Sequence, residues 1–174
     1  MKTLNTNKCF LKLLVLVLSI NIGESFSFAQ PVLPQRTTTV TATQVIHFGT
    51  FCVTGGAGGT VTVGYDGSRT STGNILLLSV APTAHPAIFE IKLCQGRNVT
   101  ITFDATTNLT GSNGGPSFTL DLGPTEKGPS GSSFPTNGDC SFITPLRMGG
   151  TLHIPGTAIP GTYTGNYAIT LNQQ

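Results

Sequence analysis

Ala87-Ile-Phe-Glu-Ile-Lys-Leu93 and, after Gln95-Gly-Arg97, Val99-Thr-Ile-Thr-Phe-Asp104 decide how this chain folds. Phe89, Ile91 and Leu93 share one side of the first segment, with Glu90 and Lys92 on the other. Val99, Ile101 and Phe103 repeat the arrangement against Thr100, Thr102 and Asp104. A period of two is what a strand with one buried face requires. The same alternation recurs on either side of this pair. Val61/Val63/Tyr65 follows the glycine loop Gly55-Gly-Ala-Gly-Gly59, which reads as a hairpin connection, and Asp66-Gly67 then marks a turn. Asn74–Val80, a continuous apolar run between Gly73 and Pro82, reads as a strand buried on both faces. Phe118/Leu120/Leu122 alternates again beyond the loop Thr110–Pro116, and the Gly/Pro/Ser-rich Gly123–Cys140 reads as a long connection. Leu152/Ile154 and one last strand, Tyr163/Tyr167/Ile169/Leu171, are joined by a Pro/Gly loop and predict a closing hairpin. No period of 3.6 occurs after Gln30. About eight short strands with turn signals every 8–12 residues predict an all-β, Ig-like antiparallel sandwich.

The start of the chain obeys different rules. Lys2, Lys8 and Lys12 flank the apolar run Leu13–Ile20, and Ser27-Phe28-Ala29 places small residues before Gln30. This is the pattern of a removable export signal, and the run is shorter than the ~20 apolar residues needed to span a bilayer. The expected organisation is therefore a signal peptide over 1–29, an N-terminal arm over 30–44 and a β-domain over 45–174. It predicts a secreted, periplasmic or cell-surface protein without a membrane span once the signal is removed. In the arm, Thr37, Thr39, Thr41 and Thr43 alternate with Val40 and Ala42, an edge strand or a strand in search of a partner. Ile46 and Phe48 continue its inward parity, leaving His47 outward. From Gln30 onward, Lys92, Lys127, Arg36, Arg69, Arg97 and Arg147 balance Asp66, Glu90, Asp104, Asp121, Glu126 and Asp139, so the net +2 belongs to the leader. With 9% charged residues, against about 25% in an ordinary domain, no basic patch is available for nucleic acid.

Catalytic chemistry has no foothold here. His47, His85 and His153 fall far apart in the sequence, Asp104 and Asp121 take outward positions, and no nucleophile-elbow, zinc or phosphate-loop pattern occurs. The expectation is a non-enzyme with no catalytic residue, metal or cofactor. Cys52, Cys94 and Cys140 lack metal-ligand spacing, and export favours a disulfide. Cys94 and Cys140, both where a strand meets a loop, are the preferred pair, and closing that loop would contribute about 4 kcal/mol. Cys52–Cys94 is the alternative, and the leftover thiol is expected to be a small buried side chain.

Several segments, taken in order, resemble one family. They are Phe48-Gly-Thr-Phe51, Gly58-Gly-Thr-Val-Thr-Val63, Gly67-Ser-Arg-Thr-Ser-Thr-Gly73-Asn-Ile-Leu-Leu-Leu78, Pro86-Ala-Ile-Phe-Glu-Ile91, Leu109-Thr-Gly-Ser-Asn-Gly-Gly115, Gly149-Gly-Thr-Leu152 and Gly161-Thr-Tyr-Thr-Gly165. From about Val45 to Gln174 the chain resembles the DUF4402 family of exported bacterial proteins. It is more loosely similar to spore-coat-U and archaic chaperone–usher pilin subunits. The pilin likeness implies a structural or adhesin-like surface subunit that joins copies of itself, or related subunits, by strand donation. Thr37, Thr39, Val40, Ala42 and Val45 would then belong to the donated strand, and Tyr163, Tyr167, Ile169 and Leu171 to the wall of the receiving groove. The alternative is a self-contained carbohydrate-binding sandwich with a glycan partner. It is the weaker reading, because the chain has no Trp and all three Tyr are expected to face inward; Phe134 is its candidate loop aromatic.

Overall fold

A computed structural model describes residues 38–93, 98–137, 139 and 141–173, all within one compact unit, Arg36–Gln174. The expected signal peptide and residues 30–37 lie outside the described residues. The described chain is all-β and antiparallel, without a helix. Its large sheet of eight strands runs β1 (Thr38–Gln44), β8 (Ala87–Leu93), β13 (Ile143–Ile154), β11 (Phe118–Thr125), β10 (Thr106–Gly111) and β14 (Tyr163–Thr164). To this path β13 adds β4 (Gly59–Val63), which pairs in turn with β5 (Arg69–Gly73). The small sheet holds β12 (Ser133–Pro135), β9 (Asn98–Phe103) and β15 (Ile169–Gln173). Two ribbons complete the fold: β2 (His47–Phe48) with β7 (Ala84–His85), and β3 (Phe51–Val53) with β6 (Ile75–Leu77).

The core is where the inward parities of the two sheets meet. Phe89, Ile91 and Leu93 from β8, Leu146, Met148, Leu152 and Ile154 from β13, and Phe118, Leu120 and Leu122 from β11 are buried. Val99 and Ile101 of β9 and Phe134 of β12 cover them from the small sheet within the same apolar cluster. The two segments with the cleanest alternation thus belong to different sheets, and this makes the architecture a sandwich.

Several local expectations require correction. The closing residues are not one strand and do not form a hairpin with Leu152/Ile154. Tyr163–Thr164 pairs with β10 in the large sheet, whereas Ile169–Gln173 pairs with β9 in the small one. The chain changes sheets between them, and the odd-numbered parity survives the crossing. The glycine loop Gly55–Gly59 is not a hairpin either, because β3 before it pairs with β6 and β4 after it pairs with β5 and β13. It is pressed against another loop: a Cβ on Gly156 would collide with the Gly56 carbonyl, and one on Gly58, at φ +67°, with the Ile154 carbonyl. Asn74–Val80 is not buried on both faces. β6 belongs to a two-stranded ribbon, so one face meets water and Leu76 is 54% exposed.

Among the strands with no counterpart in the sequence reading, β10 and β12 contribute buried apolar residues. β10 carries one buried apolar residue, Leu109, and is held by its ladders to β11 and β14. β12 arises inside the supposed connection Gly123–Cys140, whose turns are fastened to β9 by Ser130. That hydroxyl accepts from Phe103 N and donates to Phe103 O, both at 2.9 Å. Phe134 is consequently a core residue at 5% exposure and not a surface aromatic.

Burial separates two leucines that look alike in sequence. Leu146→Ala empties a fully buried position and should cost about 2–5 kcal/mol, whereas exposed Leu76→Ala should change stability by about 0.5 kcal/mol or less. Equilibrium urea unfolding of the two variants tests this; similar losses would contradict the assigned core.

Candidate functional site

The residues expected to donate a strand lie along one edge of the large sheet. Thr39, Val40 and Ala42 belong to β1, where Val40 faces Ile91 and Ala42 faces Phe89. Val45, just beyond the strand, is exposed, and Thr37 lies outside the described residues. Five of the seven β1 residues are exposed, so its hold on β8 is mainly a main-chain ladder. The expected groove residues do not adjoin it as neighbours in a sheet. Tyr163 stacks on Phe118 at a centroid distance of 3.6 Å, and its hydroxyl donates to the Ile159 carbonyl at 2.9 Å. Gly111 leaves room for that ring, since a Cβ there would stand 2.9 Å from it. Tyr167, inside the sheet crossing, meets Phe89 edge-on and hydrogen-bonds the Ile46 backbone, and burial pushes its hydroxyl pKa up. Ile169 and Leu171 are half-buried on β15, opposite Phe103 and Ile101. Among the described residues, the other edge of β15 pairs with nothing.

Cys94 and Cys140 lie outside the described residues. Cys52 is a free, exposed thiol and not the buried side chain expected of the leftover cysteine. The cause is the β3–β6 ribbon, which sets Cys52 opposite exposed Leu76 on its solvent side.

Two histidines that the sequence leaves apart come together. His47 and His85 are directly opposite each other in the β2–β7 ribbon, with ring centroids 5.6 Å apart. Gly49 N donates to His47 Nδ1 at 2.8 Å, which fits a neutral ring with its proton on Nε2. Beside them Arg69 occupies the core-facing parity of β5, opposite buried Val63. Its guanidinium donates to the carbonyls of Leu78, at 3.1 Å, and Thr50, at 2.8 Å. This gathers the β2–β3 and β6–β7 segments against the sheet. The sequence reading missed the role, although the two-residue period already turned Arg69 away from its outward neighbours Thr70 and Thr72. Burial lowers the His47 pKa most, with further lowering from His85 and Arg69. The His47 imidazole and the Arg69 guanidinium serve here to fasten backbone.

A third feature lies at the β4–β5 turn. Tyr65, expected inward, is 41% exposed because it stands past the end of β4, in the Tyr65-Asp66-Gly67 turn. It borders an open groove of about 530 Å³ together with Gln44, Asp66, Pro86, Ile88, Glu126 and Arg147. Arg147 Nη1 donates to Glu126 Oε2 at 3.1 Å, and Arg147 N to Oε1 at 3.3 Å. Asp66 Oδ1 accepts from Ser68 N and Oγ, at 3.0 and 2.6 Å, and these bonds hold the Asp66 pKa down. On the outer face of the large sheet, exposed His153 and Asp121 meet at 2.7 Å. Among the described residues no three His, Cys, Asp or Glu side chains are grouped to hold a metal ion.

His47 makes stability depend on pH in one direction. His47 has a lower pKa folded than unfolded, so the unfolded chain takes up its proton first. Stability is intact above about pH 6.5 and falls as pH drops through the folded pKa. His47→Asn keeps an acceptor for Gly49 N and should flatten that slope. Melting temperatures between pH 7.5 and 5 provide the test, and equal slopes in both proteins would refute it.

No curated protein and no solved structure matches this chain. A family model described as "Domain of unknown function (DUF4402)" matches residues 38–173, which takes in every described strand from β1 to β15. The chain belongs to the DUF4402 family.

Proposed function

We propose that this protein is an exported, non-enzymatic structural subunit of a cell surface, joined to further copies of itself by exchange of its N-terminal strand. The observation that carries this reading is the state of β1. It is an edge strand of seven residues, and Val40, on its core-facing side, remains 40% exposed. Little side-chain burial therefore ties β1 to its own β8. Main-chain ladder bonds are the same whichever chain supplies the strand, which is the physical basis of β-augmentation and of swapped assemblies. The open edge of β15 offers a second place for an incoming strand, where half-buried Ile169 and Leu171 would gain cover. Tyr163 is engaged with Phe118 and Tyr167 with Phe89 and the Ile46 backbone, so neither has a part in this.

Deleting residues 30–44 should abolish linear oligomers that resist denaturation, seen as a ladder on unheated gels and by light scattering. A second variant keeps the strand and ties it down: Thr41→Cys with Glu90→Cys joins positions directly opposite in the β1–β8 ladder. Oxidised within one chain, it should also be monomeric. A wild type that stays monomeric, or a truncated chain that still forms the ladder, would end this reading.

A further inference from the structure

We propose that the groove beside the β4–β5 turn binds an uncharged pyranose, the Tyr65 ring forming its platform and the Asp66 carboxylate accepting its hydroxyl protons. Four features of the groove support this. Its volume, about 530 Å³, falls in the range of small-ligand sites, roughly 300–1,000 Å³, that combine apolar lining with a few polar groups. Tyr65 supplies an exposed ring that no hydrogen bond engages among the described residues, and Ile88 adds apolar floor. An aromatic face of this kind suits the C–H face of a sugar ring, apolar in its body and polar at its rim. The turn sets the ring: Gly64 N donates to Ser68 O at 2.8 Å, and Gly67, at φ +85°, donates to Gly64 O at 3.0 Å.

Charge selects among ligands. Arg147 is already committed to Glu126: its guanidinium pairs with the carboxylate, its N–H donates to Glu126 Oε1, and its carbonyl accepts from Glu126 N. The two carboxylates therefore leave the groove with a net negative charge, which disfavours uronates, sialosides and phosphates. Asp66 binds Ser68 through Oδ1 alone, so Oδ2 remains available as a strong, charge-assisted acceptor. A Lys or Arg side chain of a peptide would also be drawn to Tyr65 and Asp66. Against it, a cation cannot use the guanidinium N–H groups that Glu126 leaves free on Arg147. Sugar hydroxyls donate and accept, which matches the mixed lining.

The test is titration of the purified chain with cellobiose, N,N′-diacetylchitobiose, maltose and lactose at millimolar concentration, followed by amide chemical shifts. One or more should bind, with shifts centred on residues 64–68 and 126. Tyr65→Ala should weaken binding roughly tenfold, the upper end of an aromatic contact's worth, and Asp66→Asn should weaken it severalfold. Tyr65→Phe, which keeps the ring, should bind like the wild type. Tyr65 is exposed, so the melting temperatures of both Tyr65 variants should match the wild type. Failure of every sugar to bind overturns the proposal, as does binding indifferent to Tyr65→Ala. Preference for sialyllactose or for an oligolysine peptide over the neutral sugars also overturns it. Because the measurement needs only the monomer, its failure would leave strand exchange standing.

Discussion

A strand has two edges, yet Ile143–Ile154 serves three neighbours in the large sheet, and the fold depends on how it does so. One edge of β13 is divided: residues 143–148 pair with β8, and residues 150–154 pair with β4. The other edge takes β11 between Met148 and His153. The division falls at Gly149-Gly150, both buried, where side chains would have no room. A Cβ on Gly149 would strike the Val63 carbonyl, and one on Gly150 would stand 2.9 Å from the Asp121 carbonyl. Close approach of three backbones, more than turn formation, is what these glycines permit. The flanking Leu146, Met148, Leu152 and Ile154 put the same strand at the centre of the core.

How much of this was legible depends on whether a segment's two faces differ. β8, β9 and β11 each bury one face and wet the other, so alternation alone identified them and the residues they bury. β10 was invisible because Thr, Asn and Gly surround its single buried leucine; its order comes from neighbours remote in sequence. β12 was masked by the turn residues about it, since nothing local announces that Phe134 plugs the small sheet. At Tyr163–Leu171 the signal was present and misleading. Parity persists through a change of sheet because Tyr163, Tyr167, Ile169 and Leu171 all face one interior, whichever sheet holds them. The arm residues were legible as an edge, but their partner β8 was not, and neither was the meeting of His47 with His85. A register that joins remote strands is a property of the whole sheet, and local composition does not encode it.

The low charge of the chain is offset by the outer face of the large sheet. Thr60 and Thr72 share a hydrogen bond of 2.7 Å across β4 and β5, and Thr62 and Thr151 one of 3.0 Å across β4 and β13. His153 and Asp121 continue this polar surface onto β11. Threonine suits such a face for two reasons: its branched Cβ favours the extended backbone, and its hydroxyl bonds to its cross-strand neighbour or to water. The exposed His–Asp pair is therefore explained as part of a solvated sheet, where an ion pair contributes little.

The arm and the groove are joined through one residue. Gln44 ends β1, and its Nε2 donates to the Pro86 carbonyl at 2.7 Å, while the same side chain borders the groove opened by Tyr65. The ladder slips its register between Ala42 and Gln44. There a bulge turns the end of the arm onto Pro86, where a regular strand would have carried it along β8. The groove thus has its full wall only while some β1 occupies β8. In an exchanged assembly that strand, and with it Gln44, comes from a neighbouring copy, so a complete sugar site would be built from two chains. A free arm would instead leave Tyr65, Asp66 and Arg147 beside an unpaired edge. Ligand that prefers the completed groove must, by linkage, favour the docked strand by the same factor.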